Sequence, residues 1–166
     1  LGNESHCGDN IASMAEFFHS VDKTRLVHYE GIFWNRKYDS ITDMESRMYA
    51  KPADIEEYLK SNPKKPFINC EYMHSMGNSL GGMSLYTDLE DKYEKYQGGF
   101  IWDYIDQLIM TEDEYGDEYL AYGGDFGDRP NDDSFCANGI VFATREITPK
   151  AQEVKNVYAQ VTLRPD

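Results

Sequence analysis

The stretch from Lys65 to Gly82, KPFINCEYMHSMGNSLGG, constrains the fold more than any other. After Pro66 comes a short apolar run, Phe67, Ile68 and Cys70, which reads as a strand. It ends on a carboxylate, Glu71, with Tyr72, His74 and a Gly/Asn/Ser-rich turn directly behind. Leu80, Met83, Tyr86, Leu89 and Tyr93 then recur at helical spacing and predict a helix of about four turns. Strand, polar cluster, glycine-rich loop and helix form the unit of an α/β barrel, whose functional groups sit at the carboxyl ends of its strands.

Elsewhere the same alternation recurs, about four times in all, and implies parallel βα units. Leu1–Ser5 reads as the tail of a strand. Ile11, Met14, Ala15 and Phe18 make one stripe of a helix, with Asp9 or Asn10 as its N-cap. Arg25–Tyr29 reads as a strand closed by Glu30 and Gly31. From Ile32 to Ser46 the pattern is poor and suggests a long loop with a short strand around Ile41–Met44. Arg47–Ala50 follows at the rim, and Pro52, suited to a first helical position, starts a helix through Leu59. Lys64–Glu71 and Phe100–Tyr104 are the next strands, and Thr111–Tyr122 is a hairpin turning at Tyr115, Gly116 and Asp117. Gly123–Gly139 is too rich in Gly and Asp for regular structure, and a loop that long in a compact domain is functional or disordered. Ile140–Ala143 pairs briefly, and Thr148-Pro149 opens a last helix with Ala151, Val154, Tyr158 and Val161 on one face. One domain therefore spans residues 1–161, and 162–166 reads as the start of a linker towards another domain.

A net charge of −14 argues against nucleic acid or an anionic membrane surface as partner. No apolar run approaches the roughly 18 residues that cross a bilayer. Cys7, Cys70 and Cys136 lie far apart with no CxxC pair, which speaks against a disulfide framework or zinc ribbon and fits reduced thiols in a cytoplasmic protein. Opening without Met and inside a strand-end motif, the chain reads as a piece of a longer protein.

Glu4, beside Asn3 and Ser5, is a second strand-end carboxylate. Breaking a glycosidic bond takes two: one carboxyl protonates the leaving oxygen, and the other attacks the anomeric carbon or activates water. Glu4 and Glu71 supply such a pair if both strand ends lie on one barrel rim. The 13 tyrosines suit sugar stacking and core filling equally.

Taken together and in order, LGNES, YEG, MYA, CEYMHSMGNSLGG, GGFIWDYIDQ, YGGDFGD and FCANG resemble the large microbial β-galactosidases of glycoside hydrolase family 2. The resemblance covers essentially the whole chain. It implies the second half of a TIM (β/α)8 barrel, about four βα units, with a β-sandwich as the domain beyond the linker, and retaining hydrolysis of terminal β-D-galactosides by double displacement. By the same resemblance Glu4 would be the general acid/base and a magnesium ligand, and Glu71 the nucleophile. Tyr49 would hydrogen-bond the nucleophile, Asn3 the sugar near its 2-hydroxyl, and His74 the galactose hydroxyls. Trp102 would floor the pocket. Asn138 and the carbonyl of Phe135 would contribute to a monovalent cation site, usually Na+, beside the sugar. The resemblance further implies Mg2+ as cofactor and a homo-oligomeric parent. A half barrel alone is expected to be inactive and to self-associate through its open edges.

Two departures stand out. LGNES is followed here by His-Cys-Gly where the family more often shows Gly-His-Gly, so His6 receives no role, and Ile32–Met48 matches poorly. The rival readings are a non-catalytic carbohydrate-binding or assembly module, and a β-glucuronidase or β-mannosidase of the same family. Retention of both glutamates argues against the first, and MGNSLGG with YGGDFGD against the second.

Overall fold

The computed structural model describes residues 1–161 and 163, so the expected linker at 162–166 lies, but for Leu163, outside the described residues. The chain forms two compact units, Leu1–Tyr72 with Leu85–Phe100, and Met73–Ser84 with Ile101–Asp166.

The first unit carries a helix, Asp9–Val21 (α1), two 3-10 helices at Glu30–Trp34 and Arg36–Ile41, and a strand, Glu45–Met48 (β1). Helix Pro52–Lys60 (α2), strand Phe67–Tyr72 (β2), helix Ser84–Lys92 (α3) and strand Tyr96–Ile101 (β3) follow. The strands form one sheet in the order β1-β2-β3, with β1 and β2 parallel. Pro52 occupies the start of α2 as expected, where its missing N–H costs nothing.

Two side-chain clusters hold this unit. Ala50, Ile55, Leu59, Phe67, Leu89 and Tyr96 bury the helix-facing side of the sheet against α2 and α3. Cys7, Ala15, Val27, Tyr29, Ile32 and Ile41 gather α1 and the first 3-10 helix. Of the expected α1 stripe, Ala15 is buried, whereas Met14 and Phe18 stay exposed.

The expectation of about four βα units needs correcting: among the described residues this sheet has three strands. Leu1–Ser5 is not a strand, because Gly2 and Glu4 take positive φ values of 72° and 51°. Arg25–Tyr29 is not one either, because its amides are taken by side chains. Val27 N–H donates to Asp43 Oδ2 and Tyr29 N–H to Thr42 Oγ1. The N-cap of α1 is Gly8, with Asp9 already helical and its carboxylate accepting from the Tyr38 hydroxyl at 2.6 Å. β3 lies earlier than the expected Phe100–Tyr104, because Gly98 and Gly99 belong inside it. A Cβ at Gly99 would come within 2.9 Å of Asn69 Cβ, so a glycine lets β3 lie close to β2. Two 3-10 helices stand up to Ile41 where a long loop is expected, the strand of this region starts at Glu45 and not around Ile41–Met44, and α3 is shorter than four turns.

In the second unit the expected hairpin forms. Ile109–Glu112 (β4) and Glu118–Ala121 (β5) pair antiparallel, and Asp113 Oδ1 accepts from the amides of Tyr115 and Asp117 in the turn. Residues 123–139 contain neither helix nor strand. Val141 bridges to Ile105 and Ile147, and helix Pro149–Val157 (α4) starts after Thr148, ending before Val161. The Thr148 hydroxyl donates to the Ile140 carbonyl at 2.6 Å, and Lys150 Nζ donates to the Ser75 carbonyl.

Candidate active site

β1 and β2 run in plain register through Arg47 and Asn69, and then Met48 pairs with Glu71, leaving Cys70 as an extra residue in β2. This bulge inverts the alternation. Phe67 and Asn69 are fully buried on the helix side. Strict alternation would put Glu71 there too, yet Tyr72 takes that place, its ring edge-on to Tyr86 of α3 at 5.1 Å. Glu71 is thereby delivered to the opposite face of the strand.

There it meets Tyr49, just past the end of β1. The Tyr49 backbone N–H donates to the Glu71 carbonyl at 2.8 Å, and its hydroxyl donates to Glu71 Oε2 at 3.0 Å. Tyr49 has φ 53°, the left-handed region that non-glycine residues rarely occupy. Burial pushes the Tyr49 hydroxyl pKa well up, and the hydrogen bond to Glu71 and the charges of Glu71, Cys70 and Glu4 add to it. The phenol therefore keeps its proton and remains a donor.

A cavity of about 860 Å³ opens beside Tyr49. Glu4, Glu30, Trp34, Arg47 and Asp54 line it with Tyr49. Glu4 is exposed, and its N–H donates to Glu30 Oε1 at 2.7 Å. Asn3 is exposed one residue earlier, its carbonyl accepting a long 3.5 Å bond from Ser5 Oγ. Glu4, Glu71 and Tyr49 are thus brought to one region of the first unit.

Arg47 also belongs to the frame beneath the cavity. Glu45 is buried in β1 and paired with Arg36 at 2.7 Å and Arg47 at 2.9 Å, and both guanidinium groups lie over the Phe33 ring. Burial alone would raise the Glu45 pKa, but the hydrogen bonds from Arg36 and Arg47 outweigh it and hold the carboxyl below its ordinary value.

The other expected residues sit in the second unit. His74 stacks on the Phe135 ring at 5.3 Å and 27°. The Trp102 carbonyl accepts from the Ser75 amide at 2.7 Å. Asn138 is 1% exposed, and its Nδ2 donates to the Phe135 carbonyl at 2.9 Å. Its Oδ1 is buried with no hydrogen-bond partner among the described residues, as is one oxygen of Asp103. Burial raises the Asp103 pKa and the Asp106 charge adds to this, against opposing pulls from His74 and Lys150. Among the described residues no three His, Cys, Asp or Glu side chains converge as a metal site.

Sequence reasoning missed Glu30 and Asp103. Glu30 was legible only as part of YEG, where it served to close a strand. Asp103 stands directly after Trp102, and its burial depends on a backbone exchange with 138–140 that no local pattern reveals.

Residues 1–163 match the family described as glycosyl hydrolases family 2, TIM barrel domain. The chain belongs to that family. It is similar to the β-galactosidase of Halalkalibacterium halodurans, 66% identical over 99% of this chain and 16% of that protein. It is likewise similar to the β-galactosidase of Clostridium acetobutylicum, 59% identical over 99% of this chain and 18% of that protein. The β-galactosidase large subunit of Leuconostoc lactis is 56% identical over 95% of this chain and 26% of that protein. The chain therefore spans between about a sixth and a quarter of the length of these curated relatives. A family 2 crystal structure from Bacteroides cellulosilyticus superposes with a TM-score of 0.58, covering 92% of this chain and 17% of that one. At 14% identity that likeness speaks for the family 2 fold alone.

Proposed function

We propose that the chain is the second half of a family 2 (β/α)8 barrel and that the whole protein hydrolyses terminal β-D-galactosides with retention. The observation that carries this reading is the hydrogen bond from the Tyr49 hydroxyl to Glu71 Oε2, made where the bulge turns Glu71 away from the core. A donor held there favours the ionised carboxylate, which is the form a nucleophile needs. The β-galactosidase names of relatives up to 66% identical support galactose as the sugar. In support of the barrel reading, β1 and β3 each have a neighbouring strand on one side only among the described strands, so further strands could close the sheet.

The chemistry then runs in two displacements. Glu71 attacks the anomeric carbon as the glycosidic C–O bond breaks, and Glu4 gives its proton to the departing oxygen. Water next attacks the same carbon, Glu4 takes the water's proton, and Glu71 leaves as carboxylate. Asn3 and His74 are the residues we assign to sugar hydroxyls, with the Trp102 indole against the apolar face of the ring. Asn138 is assigned to the sugar through the cation it would help hold.

Hard cations take oxygen ligands. The buried Asn138 Oδ1, which has no partner among the described residues, and the nearby Phe135 carbonyl fit Na+, which would supply a fixed positive charge for sugar hydroxyls. For Mg2+ this chain offers Glu4 without a converging carboxylate set among the described residues, so a complete site would need ligands from elsewhere in the protein. We read the parent as a cytoplasmic homo-oligomer, a compartment that the three free cysteines suit.

The test is an assay of the whole protein on nitrophenyl β-galactoside, β-glucuronide and β-mannoside. Preference for the galactoside, with net retention at the anomeric carbon, is expected. Failure to hydrolyse it, or inversion, would overturn the reading.

A further inference from the structure

Three consecutive residues grip the segment that carries Glu4. The His28 carbonyl accepts from the Leu1 nitrogen at 2.7 Å, the Tyr29 hydroxyl donates to the Ser5 carbonyl, and Glu30 Oε1 accepts from the Glu4 N–H at 2.7 Å. Tyr29 is fully buried and Glu30 is 7% exposed, so the grip is built from immobilised groups. Gly31 completes it, because a Cβ there would lie 2.6 Å from the Tyr29 ring.

Glu4 itself needs such a grip. Its φ of 51° is left-handed, flanked by Gly2 at 72°, and left-handed backbone in a residue with a side chain persists only where its surroundings hold it. A carboxylate accepting a backbone N–H makes a charge-assisted bond, stronger than one between neutral groups. Glu30 lines the same cavity as Glu4, and one oxygen of its carboxylate is directed at the Glu4 backbone N–H.

We propose that Glu30 is a positioning residue: its carboxylate fixes the backbone of Glu4 and so aims the Glu4 side chain at the leaving oxygen. The proposal rests on Glu4 being the acid/base. Proton donation falls off steeply when donor and leaving oxygen are misaligned, and the loss is greatest for leaving groups that need protonation most. Removing Glu30 should therefore resemble a mild lesion of Glu4 and not a general loss of fold.

The experiment uses the whole protein and four variants, Glu30→Ala, Glu30→Gln, Glu30→Asp and Glu4→Gln. kcat/KM is measured on an activated dinitrophenyl β-galactoside and on the poorly activated phenyl β-galactoside. Glu30→Ala should lower kcat/KM for the phenyl substrate about tenfold or more beyond its effect on the dinitrophenyl substrate. Glu30→Gln, whose amide oxygen can still accept the N–H, should lose less than Glu30→Ala. Equal losses on both substrates, or none, would overturn the proposal. If Glu30→Ala does not fold, Glu30→Asp replaces it, one methylene too short to reach the Glu4 amide, with the same split expected. Glu4→Gln separates the two ideas: without a leaving-group split in that variant the acid/base reading itself fails, whereas a split there and none at position 30 sinks only the positioning role.

Discussion

Tyr49 holds Glu71 twice, by its backbone amide at the carbonyl and by its hydroxyl at the carboxylate. The first contact belongs to the fold and the second to the chemistry, so they can be separated. Tyr49→Phe removes only the second. We expect an unchanged melting temperature and a fall in kcat/KM of about ten- to a hundredfold in the whole protein, read by steady-state kinetics. Ultraviolet titration of Tyr49 should show it ionising above the ordinary tyrosine range, since burial and Glu71 both raise its pKa.

Glu71→Gln should abolish the glycosyl-enzyme, because an amide is a poor nucleophile. With the unmodified protein, a 2-fluorogalactoside should be trapped on Glu71, and mass spectrometry of the labelled peptide checks this. A label on any other residue contradicts the assignment. Crystals of the whole protein should place the Glu4 and Glu71 carboxylates about 5–5.5 Å apart, the separation of retaining enzymes.

Glu45 predicts a pH dependence of stability. Its folded pKa lies below the unfolded value because Arg36 and Arg47 overcome the cost of burial. Its contribution is therefore present above the unfolded carboxylate pKa and is lost as pH falls through the folded one. Urea unfolding from neutral to acidic pH should show this fall, and Glu45→Gln should flatten it. The same variant should cost about 3 kcal/mol at neutral pH, the low end for breaking a buried pair, because Arg36 is half exposed.

Gly31→Ala tests the grip on the Glu4 segment through packing alone. The added methyl would lie 2.6 Å from the buried Tyr29 ring, so the ring or the backbone would have to shift. A loss of about 1–3 kcal/mol is expected by chemical denaturation, the usual cost of overpacking. A neutral result would mean that the Tyr29 ring has space to move.

Much of this architecture was legible where local rules govern. Pro52 announced α2, the Tyr115-Gly116-Asp117 turn announced the hairpin, and Thr148-Pro149 announced α4. What failed depended on distant partners. The Arg25–Tyr29 segment has the composition of a strand, but Asp43 and Thr42 take its amides before another strand can. Gly99 lies inside β3 and not before it, and only Asn69 on the neighbouring strand explains why a side chain cannot fit there. At the site, the pairing of Tyr49 with Glu71 followed from motif resemblance, whereas Glu30 meets its partner 26 residues away and left no local mark.

The extra residue at Cys70 works like a reading frame. Everything before it in β2 is written in one phase and everything after it in the other, so the identity of residue 70 matters less than its being counted. Substitutions there change a side chain. Deleting the position would shift the phase, turning Glu71 toward the helices and sending Tyr72 to the Tyr49 side. Among homologous chains, this strand should therefore vary by exchange and never by length.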